Sequence, residues 1–205
     1  MSRKQQKQEN MELTKQQVLI NEAHENAVKH GFWEENPSNE HFLCLILCEL
    51  AEAVEAKRKE RQANWEAYSR NVEASGMPQN SSELADVWQR VLLHVFEFYI
   101  KDSLGDELAD AYIRMCDLAG ANEVQVKEHK GMRSYVVARD ASFTENVLAI
   151  ASLLTDNSLE LRGKLLFCME QVERLAEIEQ VDLLRHIEAK MQYNKYRAYK
   201  HGKAF

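Results

Sequence analysis

Proline and glycine are scarce: two prolines (Pro37, Pro78) and seven glycines in 205 residues. Few points therefore force a sharp turn, which favours long helices over many short strands. No apolar run reaches eighteen residues, so a membrane-spanning helix is excluded. The segment Met1 to Glu9 has no apolar stretch of the kind a secretory signal needs. The four cysteines (Cys44, Cys48, Cys116, Cys168) all lie inside apolar helical runs. They read as reduced core thiols of a cytoplasmic protein, not as a disulfide frame. Cys44 and Cys48 are one turn apart with His41 nearby, but no second Cys/His pair has ligand spacing, so a thiolate metal site is disfavoured. There is no glycine-rich phosphate cradle and hence no support for a P-loop ATPase or kinase. None of the seven histidines follows a glutamate by three positions, which removes the di-iron carboxylate bundle. A net charge of −7 argues against nucleic acid or an anionic membrane as partner.

What is present is an ordinary globular composition, 45% hydrophobic and 29% charged, in a chain long enough for one substantial core. The pattern predicts a disordered lead over residues 1–10 and a single all-α domain over 11–205. A first helix is expected from about Glu12 to Lys29, stopped by His30-Gly31. Asn39 would cap a second, from Glu40 to about Tyr68. After a break at 75–78, Ser81 or Ser82 caps a helix reaching Phe98 or Tyr99. Another runs from about Ser103 to Leu118 and stops at Gly120. Residues 121–140 have no clear period, and Tyr135-Val136-Val137 could be extended. Helical patterns resume at 142–155, 158–179 and from Val181 to about Tyr199.

The sharpest local feature is Glu49-Leu50-Ala51-Glu52. On a helix the two glutamates share one side, and Glu49 falls with Leu45, Ile46 and Ala53, where the core should be. Burying an ionised carboxylate needs a cation, a proton or donors to offset several kcal/mol. Taken alone, such a pair beside Lys57-Arg58-Lys59 is an ordinary solvated face. A second acidic pair, Glu107-Leu108-Ala109-Asp110, changes the balance, because Glu107 lies against the apolar side marked by Leu104, Leu108, Ala111, Tyr112 and Met115. Two helices facing each other with such pairs form an all-oxygen cage, suited to Mg²⁺ or Mn²⁺.

These residues resemble the MazG-like, all-α nucleoside triphosphate pyrophosphohydrolase superfamily, which carries Glu-x-x-Glu on one helix and Glu-x-x-Asp on the next. The resemblance extends to the string from Glu49 to Arg58. It also covers a tail, Lys190-Met191-Gln192-Tyr193-Asn194-Lys195-Tyr196-Arg197 followed by His201-Gly202-Lys203. It implies an antiparallel helical bundle with extra C-terminal helices, and Mg²⁺ held by Glu49, Glu52, Glu107 and Asp110. It further implies a tail that contacts phosphate and nucleotide through Lys190, Asn194, Arg197 and Lys203. The family commonly assembles through its helices, so a homodimer or larger homo-oligomer is expected. The same tetrapeptide also occurs as Glu83 to Asp86, but there it begins a helix after Ser81-Ser82, where capping and the helix dipole account for the acids. The later copy is preferred, which makes residues 63–101 an insertion between the two acidic helices.

Lys190, Asn194 and Arg197 are spaced to project from one helical side; lysine and arginine suit phosphate oxygens. Trp33, ahead of the first acidic helix, could stack on a base or plug the core. Glu55 and Asp117 are outer candidates around the ions, and His41 and His94 read as structural. The expected reaction is metal-assisted hydrolysis at the α-phosphate to a nucleoside monophosphate and pyrophosphate, with Glu49 or Glu52 orienting or deprotonating the water. The alternative is a non-catalytic helical module that binds a nucleotide or a protein.

Overall fold

The computed structural model describes residues 3–75, 82–126 and 136–202. They form eight α-helices and no strand: α1 (Arg3–Lys29), α2 (Asn39–Arg58), α3 (Trp65–Ser75), α4 (Ser82–Tyr99), α5 (Leu104–Ala121), α6 (Phe143–Thr155), α7 (Leu161–Ile178) and α8 (Leu183–Lys195). A short 3₁₀ turn, Tyr199–Gly202, follows. Among the described residues no helix is long and apolar enough to cross a membrane.

The architecture is organised around α5. From Leu104 to Ala119 nearly every side chain is buried, and α1, α2, α7 and α8 all pack on it. A helix apolar on every side must lie inside, yet this one carries Asp106, Glu107, Asp110 and Asp117. Ser103 starts it, its Oγ accepting from the Asp106 N–H at 3.3 Å. The helix passes through Gly120, the expected stop, because α1 presses against that glycine: a Cβ there would lie 2.5 Å from the Cβ of His24.

α2 buries the stripe Phe42, Ile46, Glu49, Leu50, Ala53 and Ala56. Its cap is Ser38, whose Oγ accepts from the His41 N–H at 3.3 Å, so Asn39 is already helical. Cys44 and Cys48 lie off this stripe and are exposed; only Cys116 and Cys168 are core thiols. The second helix also ends earlier than the pattern suggests, at Arg58, where Glu60 takes a positive φ of 53°. Residues 59–64 then tie to the start of α5, with Leu104 N–H donating to the Arg61 carbonyl at 3.0 Å and Asn64 N–H to that of Tyr99 at 2.8 Å. The chain thus leaves and returns at one point, and the segment hung between is the hairpin of α3 and α4. That hairpin has a small core of its own (Tyr68, Val95, Phe96, Ile100), closed by Ala189 and Tyr193 of α8.

The helical backbone of α1 begins at Arg3, ahead of the expected start near Glu12. α6 opens with a full capping box between Ser142 and Glu145. Val136 and Val137 form no strand; both N–H groups donate to Oε1 of Gln171, at 3.0 and 3.3 Å, and Tyr135 lies outside the described residues. α8 stops at Lys195, short of Tyr199.

Candidate metal centre

The buried stripe of α2 carries Glu49 into the face that α5 occupies, and the two acids of the second pair meet it there. One carboxylate oxygen from each of Glu49, Glu107 and Asp110 lies within 4.8 Å of the others. Glu49 and Glu107 are 5% and 4% exposed, so the cluster lies at the floor of a cleft rather than on a solvated face. Glu52, one turn on from Glu49, is exposed at its rim. The cleft encloses about 230 Å³ between α1, α2, α5 and α8.

Two cations accompany these acids. Arg114 Nε donates to Glu49 Oε1 at 2.5 Å. Lys190, only 4% exposed, places Nζ 2.9 and 3.0 Å from the two oxygens of Asp106 and 2.6 Å from Oδ2 of Asp110. Asp106 also accepts from the Asp102 N–H at 2.9 Å. Glu49, Asp106, Glu107 and Asp110 therefore face Arg114 and Lys190, four carboxyls against two positive charges.

The imbalance shows in their acidities. Desolvation, then the charges of Asp110 and Asp106, push Glu107 up to about 9. Among the described residues no hydrogen-bond donor reaches its carboxylate. Desolvation raises Asp106 to about 7 despite the pull of Lys190. Glu49 is raised by desolvation and by Asp110, with Arg114 opposing. Burial pulls Lys190 down, but Asp110 and Asp106 together push it up overall. Without a further cation, a proton held chiefly on Glu107 offsets part of the excess negative charge and leaves the rest uncompensated.

The donor set fits a hard divalent ion: carboxylate oxygens alone, close enough to share a ligand, with charge left uncompensated. Compared with family models, with curated proteins and with solved structures, the chain gives no match in any of the three. The case for chemistry at this cleft rests on its geometry.

The tail residues reach the same cleft with different partners from those expected. Lys190, Asn194 and Arg197 all border it. Lys190 is engaged by Asp106 and Asp110 instead of projecting freely. Asn194 is 6% exposed, and its Oδ1 has no hydrogen-bond partner. Arg197 lies over the Tyr193 ring at 5.2 Å and donates to the His201 carbonyl at 3.3 Å. Lys203 lies outside the described residues. Trp33 does not border the cleft: its indole stacks on Phe42, with centroids 4.1 Å apart, and donates to Asp117 Oδ1 at 2.9 Å.

Asp117, two turns beyond Asp110, does border the cleft. His24 Nδ1 lies 2.8 Å from its Oδ1, and burial raises its carboxyl even so. Glu55 is half-buried, paired with Arg58 and Lys59 at 2.8 and 3.0 Å. In the alternative acidic pair, Asp86 is exposed on α4 and the Glu83 side chain lies outside the described residues. His41 packs edge-on to Phe42 while His94 is exposed, and neither borders the cleft.

Two participants were missed in the sequence, Asp106 and Arg114. Asp106 stands three residues after Ser103, where an acid is accounted for by helix capping. Arg114 was legible: a lone cation in Ala111-Tyr112-Ile113-Arg114-Met115 is as misplaced in a buried helix as Glu49 is in α2.

Proposed function

We propose that this chain is a MazG-like, Mg²⁺-dependent nucleoside triphosphate pyrophosphohydrolase. The observation that carries the reading is the buried convergence of Glu49, Glu107 and Asp110 from two helices onto the floor of one cleft. Those three would hold the ions, with Glu52 joining from the rim. Bound there, divalent ions supply Lewis acidity toward the phosphoryl oxygens and the attacking water. The chain's own groups do the rest. Glu49 is held by Arg114, which leaves Glu52 as the carboxylate free to orient the water and take its proton. Water adds at the α-phosphorus, the bond to the bridging oxygen breaks, and pyrophosphate leaves. Lys190 and Arg197 border the cleft and would neutralise the charge that builds on that leaving group. Asn194 offers an unused amide oxygen to a substrate donor.

A reducing, cytoplasmic setting and a homo-oligomer belong to the same reading. Val87 and Phe98 of α4, 49% and 72% exposed, offer apolar surface for assembly, and light scattering on the purified protein reports the oligomeric state.

The test is pyrophosphate release from a panel of NTPs and dNTPs with and without Mg²⁺, beside Glu49→Gln and Asp110→Asn. Mg²⁺-dependent release lost in both variants supports the assignment. Full activity in both removes it. Nucleotide binding with no release from any substrate would leave a binding module in its place.

A further inference from the structure

Lys190 occupies an unusual place for a residue whose spacing suggests a phosphate contact. Its Nζ is bound on one side by both oxygens of Asp106 (2.9 and 3.0 Å) and on the other by Oδ2 of Asp110 (2.6 Å). Behind it are the rings of Phe96 and Tyr193, 5.4 and 5.8 Å from the nitrogen, stacked on each other. The ammonium therefore has two holders of different character. Asp106 is 1% exposed and fixed by the Asp102 N–H and the Ser103 cap. Asp110 has 21% of its side chain exposed and is one of the three acids that converge at the cleft floor.

We propose that Lys190 is a built-in counter-cation that competes with the divalent ion for Asp110 and, once displaced, turns a freed N–H toward the incoming phosphates. The inference rests on the metal reading of the cleft. Two cations cannot share the same carboxylate oxygen at contact distance without strong repulsion. When the ion takes Oδ2 of Asp110, the oxygen that Lys190 holds in the free protein, the lysine gives that contact up. It cannot leave, because Asp106 holds it and the aromatic pair backs it. One of its three donors is then unsatisfied and lies in the cleft. Ion loading thus creates a phosphate donor, which couples the two binding events, each favouring the other.

The test is calorimetric titration of the full chain with Mn²⁺ alone, no nucleotide present. Removing the competitor in Lys190→Gln should tighten Mn²⁺ by roughly two- to fivefold, the weight of one partly exposed ion pair. Asp106→Asn, which leaves the whole ammonium to Asp110, should weaken it by a similar factor. Because Lys190→Gln strands Asp106 and could unfold the chain, the decisive comparison is Asp106→Asn against Asp106→Asn/Lys190→Gln, where the buried pair is neutral in the double variant. The double variant binding Mn²⁺ more tightly than Asp106→Asn supports the inference. Equal or weaker binding overturns it and leaves Lys190 a strut between α5 and α8. Absence of Mn²⁺ binding in the unmodified protein and every variant overturns the metal reading itself, a distinguishable result.

Discussion

Arg114 on α5 donates Nε to Oε1 of Glu49 on α2 at 2.5 Å, tying together the two helices that build the cleft floor. The Glu49 side chain is 7% exposed, so taking its cation away leaves a carboxylate to be protonated or stranded. In chelator, Arg114→Met should lower stability by about 3 kcal/mol, the low end for breaking a buried pair, since Glu49 can accept a proton. In Mg²⁺ the loss should shrink, because the ion supplies the missing charge. Urea denaturation in EDTA and in Mg²⁺ measures both. Equal losses under the two conditions would mean that Glu49 does not meet the ion.

The raised acidity of Glu107 sets a pH dependence with a definite sign. Its pKa is about 9 in the folded chain against 4.5 for the unfolded one, so between those values the native state holds the extra proton. The Glu107 contribution to the stability of the metal-free protein should then be fully present below about 4.5 and be lost as pH rises toward 9, with Asp106, near 7, adding to the fall. Mg²⁺ should cancel the decline, and its binding near pH 7.5 should release about one proton. Melting scans from pH 6 to 9 in EDTA and in Mg²⁺ test the first claim; calorimetry in buffers of different ionisation enthalpy tests the second. On the acid side His186 acts with the opposite sign. Burial lowers it to about 4 from 6.5, so stability is lost as pH falls through that window.

The sequence makes α5 and α2 legible because apolar periodicity with misplaced acids is a strong signal when both helices carry it. It could not place the break at Lys59. Residues 59–62 are Lys-Glu-Arg-Gln, all good helix formers, and the helix end coincides with a long-range contact, the Arg61 carbonyl receiving the Leu104 N–H. The apolar run from Phe42 to Cys48 is continuous, so it gave no hint that Cys44 and Cys48 face outward. Trp33 was open between two roles that share one local sequence; stacking on Phe42 and donating to Asp117 depend on residues up to 84 positions away. Lys190 had the right location but unforeseen partners, because its pairing follows from which acids are buried in the absence of an ion.

Gly105 of α5 fits under the ring of His186 on α8. A Cβ at 105 would come within 2.2 Å of Nε2 and 2.5 Å of two ring carbons. The ring cannot step aside easily: it is 4% exposed and receives the Trp65 indole N–H at 3.2 Å. Helix propensity alone says Gly105→Ala should stabilise by up to about 1 kcal/mol. The packing says the opposite, a net loss of about 1–3 kcal/mol from overfilling. Combining it with His186→Ala should recover part of the loss, since space is created where the methyl group enters. A double-mutant cycle by denaturation decides, and a stabilised single variant would show that α5 and α8 do not meet as described.

Asn194 separates a ligand contact from a structural one. It is buried beside the cleft, and its Oδ1 accepts nothing in the free protein. An unsatisfied buried acceptor costs about 1–3 kcal/mol that the fold does not recover. Asn194→Leu keeps the volume and removes that cost, so the melting temperature should hold or rise. If the amide is kept for a substrate donor, the same variant should raise KM for the preferred triphosphate roughly tenfold, the weight of one hydrogen bond at about 1.4 kcal/mol, with a smaller effect on kcat. Asn194→Asp should be worse, since it adds a carboxylate where phosphates approach. A sharp fall in melting temperature with KM unchanged would instead make Asn194 part of the scaffold, and the substrate side of the cleft would have to be sought away from α8.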